Sequence, residues 1–248
     1  PSDARWTGFL IMPVIGLAAA TLASTILWSV NLRPESSFVG DTIVTLYIMT
    51  IPAIALIIGG SASGNPLGAL GSAREMKLLF AYELPLAIAF LTTIVKVGSF
   101  SFEKVLMYQQ YNGAMLGSVS GVLAFVVAIF CAQAKLGFLP FDIAEAETEI
   151  AGGTHIEYSG APLAVVRLNT AVMYLVVPLF IITMFWGGVN FTGWRILTSV
   201  LKYVCVVVIM VLIKNTNPRI RIDQAVRFFW GPMFALAGIA MILAVIGY

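Results

Sequence analysis

Seven apolar stretches recur along the chain, at 8–30, 42–60, 78–95, 116–134, 164–186, 196–213 and 228–246. Each is close to the roughly 20 mostly apolar residues that a helix needs to cross the hydrocarbon core of a bilayer. Polar residues, glycines and prolines gather between them. There is no internal repeat, no low-complexity tract and no stretch with the polarity of a soluble domain. The pattern predicts an all-α fold, a polytopic transmembrane helix bundle that forms a single transmembrane domain over residues 1–248 with the lipid bilayer as its solvent.

Composition agrees. The chain is 60% hydrophobic and 10% charged, where a soluble domain carries about 25% charged residues. A net charge of +2 gives no footing for nucleic acid. The two cysteines, Cys131 and Cys205, lie inside apolar runs and make neither a disulfide framework nor a cluster-binding spacing. No His, Asp and Glu set has metal-ligand spacing, so no metal site is expected. No Ser or Cys has a base beside it, and no glycine-rich phosphate loop follows a strand, so no catalytic residue is assigned. Trp6, Trp28, Trp186, Trp194 and Trp230 fall near the predicted span ends, as an interfacial belt does. The chain begins at Pro1 without a methionine, and further residues are expected before it.

Orientation follows from the Lys/Arg asymmetry of the connections. On the side of the N-terminus lie Arg5, Arg74, Lys77, Lys135, Arg167, Lys214, Arg219, Arg221 and Arg227; the other side holds Arg33, Lys96, Lys104, Arg195 and Lys202. Nine against five predicts that Pro1 and the connection at 135–162 face the cytoplasm of a cell whose plasma membrane holds the chain.

That connection carries the candidate chemistry. Asp142, Glu145, Glu147 and Glu149 place four carboxylates in the ten residues from Pro140 to Glu149, in a chain with only 12 acidic residues. Gly137 and Pro140 break the helix before them and Gly152-Gly153 after them. Residues 142–151 between these breaks are expected to form about three helical turns. Asp142, Glu145 and Glu149 would share one face, with Ile143, Ala146 and Ile150 on a neighbouring face packed on the bundle, and Glu147 pointing elsewhere. Crowded carboxylates hinder one another's ionisation, so at least one is expected to hold its proton more tightly than usual. A solvated acidic face is the plain alternative. The apolar and Gly/Pro flanks favour a segment tucked against the membrane.

Glu83 is the second candidate, about one-third of the way into the third stretch. An ionisable residue at that depth is a functional candidate that should face the bundle interior. Arg74 and Lys77 do not stand at i,i+4 from it, which weakens a purely packing role. Pro85 beside it frees backbone carbonyls and allows a kink. Glu157, with Tyr158, precedes the fifth stretch. His155 is the one histidine, the residue type suited to shuttling protons, although a lone histidine in a polar loop is more often a surface group.

Three segments together resemble the central loop of the complex I subunit 1 family: Pro140-Phe141-Asp142, Glu145-Ala146-Glu147-Thr148-Glu149 and Glu157-Tyr158-Ser159-Gly160. Gly71-Ser72-Ala73-Arg74 followed by Tyr82-Glu83 is similar to the family's other signature. The resemblance covers most of the chain, from its first stretch to its end. Family members have eight spans, and this sequence shows seven, with the family's first span expected before Pro1. The resemblance implies a cofactor-free subunit that anchors a hydrophilic redox arm to antiporter-like membrane subunits. It carries over a proton relay or coupling path of Asp142, Glu145, Glu147, Glu149, Glu157 and Glu83. Tyr158 and Arg74 stand at matching family positions beside that path.

One position departs from the family. Quinone-reducing members carry an arginine two residues before the proline of Pro-Phe-Asp, and here that residue is Phe138. Phenylalanine supplies neither the fixed charge nor the donors of arginine. Lys135, one helical turn earlier, is the candidate substitute. The Leu-Gly-Phe-Leu lead-in and the Ala-Glu-Thr-Glu-Ile run look most like the membrane anchor subunit of archaeal membrane-bound energy-converting [NiFe] hydrogenases, or of the related sulfur-reducing complex. The implied role is subunit of a ferredoxin-driven respiratory complex that couples H2 evolution to proton or sodium translocation. The [NiFe] centre and iron–sulfur clusters would lie in hydrogenase-like and iron–sulfur partner subunits on the cytoplasmic side. A quinone-reducing or sulfur-reducing complex is the alternative within the family. A free-standing secondary transporter is the rival outside it, disfavoured by the lack of paired repeats.

Overall fold

A computed structural model describes residues 4–144, 147–191 and 193–247, without the side chains of Glu147 and Thr148. Eleven α-helices occur among the described residues: α1 (Trp6–Leu32), α2 (Asp41–Ile48), α3 (Ile51–Ala62), α4 (Pro66–Val97), α5 (Phe102–Asn112), α6 (Val119–Lys135), α7 (Glu147–Ile150), α8 (Gly160–Phe185), α9 (Arg195–Thr216), α10 (Ile222–Phe228) and α11 (Phe234–Ile246). No strand occurs among these residues.

Six helical segments are long and apolar enough to cross a membrane: α1, α2 with α3, α4, α8, α9, and α10 with α11. The fourth expected crossing is α6, apolar but shorter. Its 17 residues at 1.5 Å each span about 25 Å, near the lower limit for a crossing helix. The second crossing is broken between α2 and α3, where Thr50 Oγ1 turns back to the Tyr47 carbonyl at 2.6 Å and Pro52 opens α3. The last crossing carries a π turn at Phe229–Met233, with Pro232 inside it.

Helix α4 is the central column. Its start is written in the sequence: Asn65 accepts from Leu67 N at 2.9 Å, Pro66 takes the first turn, and Gly98 ends the helix in a left-handed conformation. It packs against α3, α6 and α11, while α1 lies across α3 and α8. Phe90, Phe102 and Phe180 fill the middle of the bundle, with Phe90 and Phe180 edge to face at 4.6 Å. Helix α9 presents Leu197, Leu201 and Leu212 outward, as a lipid- or partner-facing helix does.

The connections sort onto two ends, as the charge count grouped them. One end joins Arg5 N to the Ala62 carbonyl and Ile220 N to the Pro140 carbonyl. The other end joins Asp41 to the start of α5, through Phe102 N to Asp41 Oδ1 at 2.9 Å, and Gln109 to the end of α8. Helix α5 itself was not foreseen, because its mixed sequence lacks an apolar run.

The acidic loop departs from expectation. Residues 142–151 do not form three turns: among the described residues the helix is α7, Glu147–Ile150, and Asp142 and Ile143 lie before it in irregular backbone. Phe141 and Ile143 are both buried, at 2% and 4% exposure. Two nearly adjacent buried side chains draw this stretch across the end of the bundle instead of letting it coil, so burial overrides local helix preference. Asp142 and Glu149 therefore do not share a helical face. Ile150 is buried as expected. The predicted positions of Glu145 and Ala146 lie outside the described residues.

Candidate functional site

The site assembles where the loop of residues 135–162 closes over α4. Gly71 makes that closure possible. A Cβ at Gly71 would stand 2.7 Å from Thr154 N and 2.9 Å from the Gly153 backbone, so only glycine lets the loop's turn lie on the helix. Gly137 and Gly152, both at positive φ, mark the two expected breaks.

Each described candidate carboxylate has its own partner. Arg74 Nη1 donates to Glu149 Oε2 at 2.6 Å, tying α4 to α7. Arg219 Nη2 donates to Asp142 Oδ2 at 2.6 Å, tying the loop to the segment between α9 and α10. Asn65 Nδ2 donates to Glu157 Oε1 at 2.6 Å. Glu83 Oε2 faces Lys135 Nζ at 3.5 Å, between α4 and α6. The loop carboxylates at Asp142 and Glu149 are thus clamped by arginines. At Glu149 the Arg74 guanidinium pulls the carboxyl below its usual range, opposite to the rise expected from crowding.

The Glu83–Lys135 pair is the deep element. Lys135 is the last residue of α6, and its side chain is 2% exposed. Both Glu83 carboxylate oxygens are buried, so the 21% exposure of its side chain belongs to the stem. Lys135 also lies 5.6 Å from the centre of the Tyr82 ring. Arg74 and Lys77, the nearest cations in the sequence, do not stand at i,i+4 from Glu83; the chain supplies Lys135 from another helix.

A cavity of about 60 Å³ reaches from Lys135 of the deep pair to the loop. Lys135, Glu75, Asp142, Thr154 and Asn169 put polar groups into a lining that Met49, Leu56, Phe141 and Met173 make partly apolar, and the volume suffices for water. Glu75 and Asn169 were missed in the sequence. The third stretch was started at residue 78, which left Glu75 in a connection; the Asn65-Pro66 start signal would have placed it on α4. Asn169 is a buried amide in an apolar span, a pattern that itself marks a polar interior.

Tyr158 lies against α1. Its ring stacks on Phe9 at 4.3 Å, its hydroxyl donates to the Phe9 carbonyl at 3.1 Å, and burial pushes its pKa up to about 12. His155 borders a neighbouring lateral cavity of about 400 Å³ with Arg167, Thr170 and Tyr174. Phe138 packs on Tyr174 with ring centres 4.7 Å apart and planes tilted by 34°, and Lys214 Nζ sits 4.7 Å from the Phe138 ring centre. Among the described residues, no group of three or more His, Cys, Asp or Glu residues could hold a metal ion.

These features define a class: a polytopic all-α membrane protein whose acidic loop is clamped by arginines over a buried ion pair. The chain belongs to the NADH dehydrogenase family, that of complex I subunit 1, whose model matches residues 1–245. It is 30% identical over 241 residues to NADH-quinone oxidoreductase subunit 8 of Thermus thermophilus, covering 92% of this chain and 65% of that protein. It is 31% identical over 202 residues to an NADH-quinone oxidoreductase subunit of Geobacillus thermodenitrificans, covering 79% of this chain and 60% of that protein. The chain therefore spans less than two thirds of the length of these relatives. Among solved structures it is similar to a chain of the membrane-bound sulfane sulfur reductase, an archaeal respiratory membrane complex. That match has a TM-score of 0.88 and 26% identity, and it covers 96% of this chain and 79% of the other.

Proposed function

We propose that this chain is the membrane anchor of a ferredoxin-driven respiratory complex and couples electron transfer in partner subunits to proton or sodium movement. The observation that carries this reading is the Glu83–Lys135 pair, set in the membrane bundle, with Lys135 lining a mixed polar and apolar cavity that Asp142 also lines. An ionised pair at that depth is costly to keep and is a functional candidate by default. Charge or shape change in a redox partner above the loop would act first on the arginine-clamped Asp142 and Glu149. Coupled ionisable groups in low dielectric respond together, so the change would pass through the cavity to Glu83. Glu145, Glu147 and Glu157 complete the loop's share of the relay. The acidic loop would face the cytoplasm, under hydrogenase-like and iron–sulfur subunits, with antiporter-like subunits beside the bundle.

Two terminal chemistries fit this frame. Evolution of H2 at a [NiFe] centre in a partner is supported by the likeness of the loop's Leu136–Leu139 and Ala146–Ile150 runs to the hydrogenase anchor subunits. Reduction of sulfur compounds is favoured by the likeness to the sulfane sulfur reductase. Quinone reduction is the less favoured reading, because Phe138 is occupied by its contacts with Tyr174 and Lys214 and offers no donor to a headgroup. Replacing Glu83 by Gln, or Asp142 by Asn, in the intact complex should leave electron transfer running while gradient formation in inverted vesicles collapses. Intact gradients in both variants would remove the relay. Nickel in the purified complex selects the hydrogenase, and its absence together with sulfur reduction selects the other.

A further inference from the structure

The two arginine pairs at the loop are tight, and the deep pair is not. Arg74–Glu149 and Arg219–Asp142 each close at 2.6 Å, whereas Lys135 Nζ stands 3.5 Å from Glu83 Oε2. A charge-assisted N–H···O bond normally lies near 2.7–2.9 Å. Among the described residues, neither Lys135 Nζ nor either Glu83 oxygen has a hydrogen-bond partner, although all three atoms are buried. Groups of this kind are ordinarily saturated when their arrangement is final.

The surroundings of Lys135 are asymmetric. Toward the loop it lines the larger cavity, whose polar groups are Glu75, Asp142, Thr154, Thr170 and Asn169, and the buried Asn169 Oδ1 also lacks a hydrogen-bond partner among the described residues. Toward the bundle centre it borders a small apolar cavity lined by Leu86, Phe90 and Phe180. Its backbone is the last residue of α6, followed by Leu136 and the left-handed Gly137. A flexible four-carbon stem at a helix end can swing toward the polar side without disturbing the helix.

We propose that Lys135 is a mobile counter-ion, a positioning residue for the relay, whose ammonium moves between Glu83 and the carboxylates lining the loop-end cavity, Glu75 and Asp142. This rests on the relay reading of the site. With the ammonium beside it, a buried carboxylate is held ionised; left alone in an apolar bundle, a carboxylate takes up a proton. Each departure of Lys135 therefore lets Glu83 take one proton from water reaching the loop-end cavity, and each return passes that proton on toward the neighbouring membrane subunits. The lysine keeps its own proton throughout, so the cycle balances. Asp142 supplies the trigger. It lines the cavity while bound to Arg219, and opening that bridge leaves Asp142 free to draw the ammonium away.

A static ion pair and a mobile one respond differently to reversal of both charges. The double variant Glu83→Lys with Lys135→Glu keeps the attraction between α4 and α6, but sets the new carboxylate against Glu75 and Asp142, which repel it. In inverted vesicles holding the intact complex, ions moved per electron should fall at least about tenfold in this variant, within the range of coupling effects. Lys135→Met should fall as far, and Lys135→Arg should retain a measurable part. Wild-type coupling in either the double variant or Lys135→Met overturns the proposal. If the double variant fails to assemble, Arg219→Gln decides. Freeing Asp142 should convert the infrared band of Glu83, assigned with Glu83→Gln, from carboxylate toward carboxylic acid, and an unchanged band overturns the proposal. Full coupling in Glu83→Gln would instead remove the relay itself, whereas lost coupling in Glu83→Gln with full coupling in the double variant removes only the moving lysine.

Discussion

One side chain, Asn65, serves both helix α4 and Glu157. Its Oδ1 accepts from Leu67 N at 2.9 Å to cap the helix, while its Nδ2 donates to Glu157 Oε1 at 2.6 Å. Cap and carboxylate anchor are therefore one group. Asn65→Ala should lose both, costing about 1–2 kcal/mol for the cap alone. Asn65→Asp should keep the cap but set a carboxylate against Glu157. Thermal unfolding of the detergent-solubilised protein should rank wild type above both variants. Equal melting of Asn65→Asp and wild type would show that the contact with Glu157 contributes nothing.

The Gly71 closure is steric, and its consequence is sharp. A methyl at Gly71 meets backbone atoms of Gly153 and Thr154, which cannot rotate away as a side chain end could. Gly71→Ala should displace the turn at Gly153–His155 and destabilise the protein by about 1–3 kcal/mol, the usual cost of overpacking. Because that turn positions the loop, proteolysis within 135–162 should quicken in the same variant. Unchanged proteolysis would mean that the helix, rather than the loop, gives way.

Tyr158 offers a pH test. Burial raises its pKa to about 12, above the ordinary tyrosine value of 10. A raised folded-state value stabilises the protein fully below the unfolded value and is lost as pH rises through the folded one. The contribution of Tyr158 should therefore hold up to about pH 10 and disappear between about 10 and 12. Ultraviolet titration of wild type against Tyr158→Phe should show one tyrosine ionising near the upper end of that window. The Phe variant should lose about 1 kcal/mol near neutral pH through the missing bond to the Phe9 carbonyl.

How far the sequence spoke depended on the range of the interaction. Apolar length located the crossings, because each helix needs only its own residues to be recognised. The true start of α4 was legible in Asn65-Pro66, yet Arg74, Glu75 and Lys77 read as a polar connection and hid it. The loop failed for a different reason: Phe141 and Ile143 are held by burial against the bundle, and no local rule reports that. The candidate carboxylates were legible as residues but not as pairs. Lys135 meets Glu83 only once α4 and α6 have packed, and Arg219 meets Asp142 only once the α9–α10 connection folds back over the loop. Both the deep pair and the clamp are products of tertiary packing between segments distant in sequence.

The Arg74–Glu149 bridge separates stability from coupling. Glu149 is 53% exposed at its side chain, so the pair lies largely in water and should add little to stability, as surface ion pairs do. Its effect on charge is larger in kind: Arg74 holds the Glu149 carboxyl below the usual range. The sign follows. A depressed folded-state value gives a contribution present above the unfolded value, about 4.3 for glutamate, and lost as pH falls through the folded one. Glu149 should thus remain ionised at acidities that protonate an ordinary glutamate. Difference infrared titration against Glu149→Gln should place its carboxylate loss below that of a free glutamate, and Arg74→Gln should move it back up. Melting temperatures of both variants should stay close to wild type. A large fall in melting temperature would instead make the bridge a structural clasp, with no separate part in setting the charge of the loop.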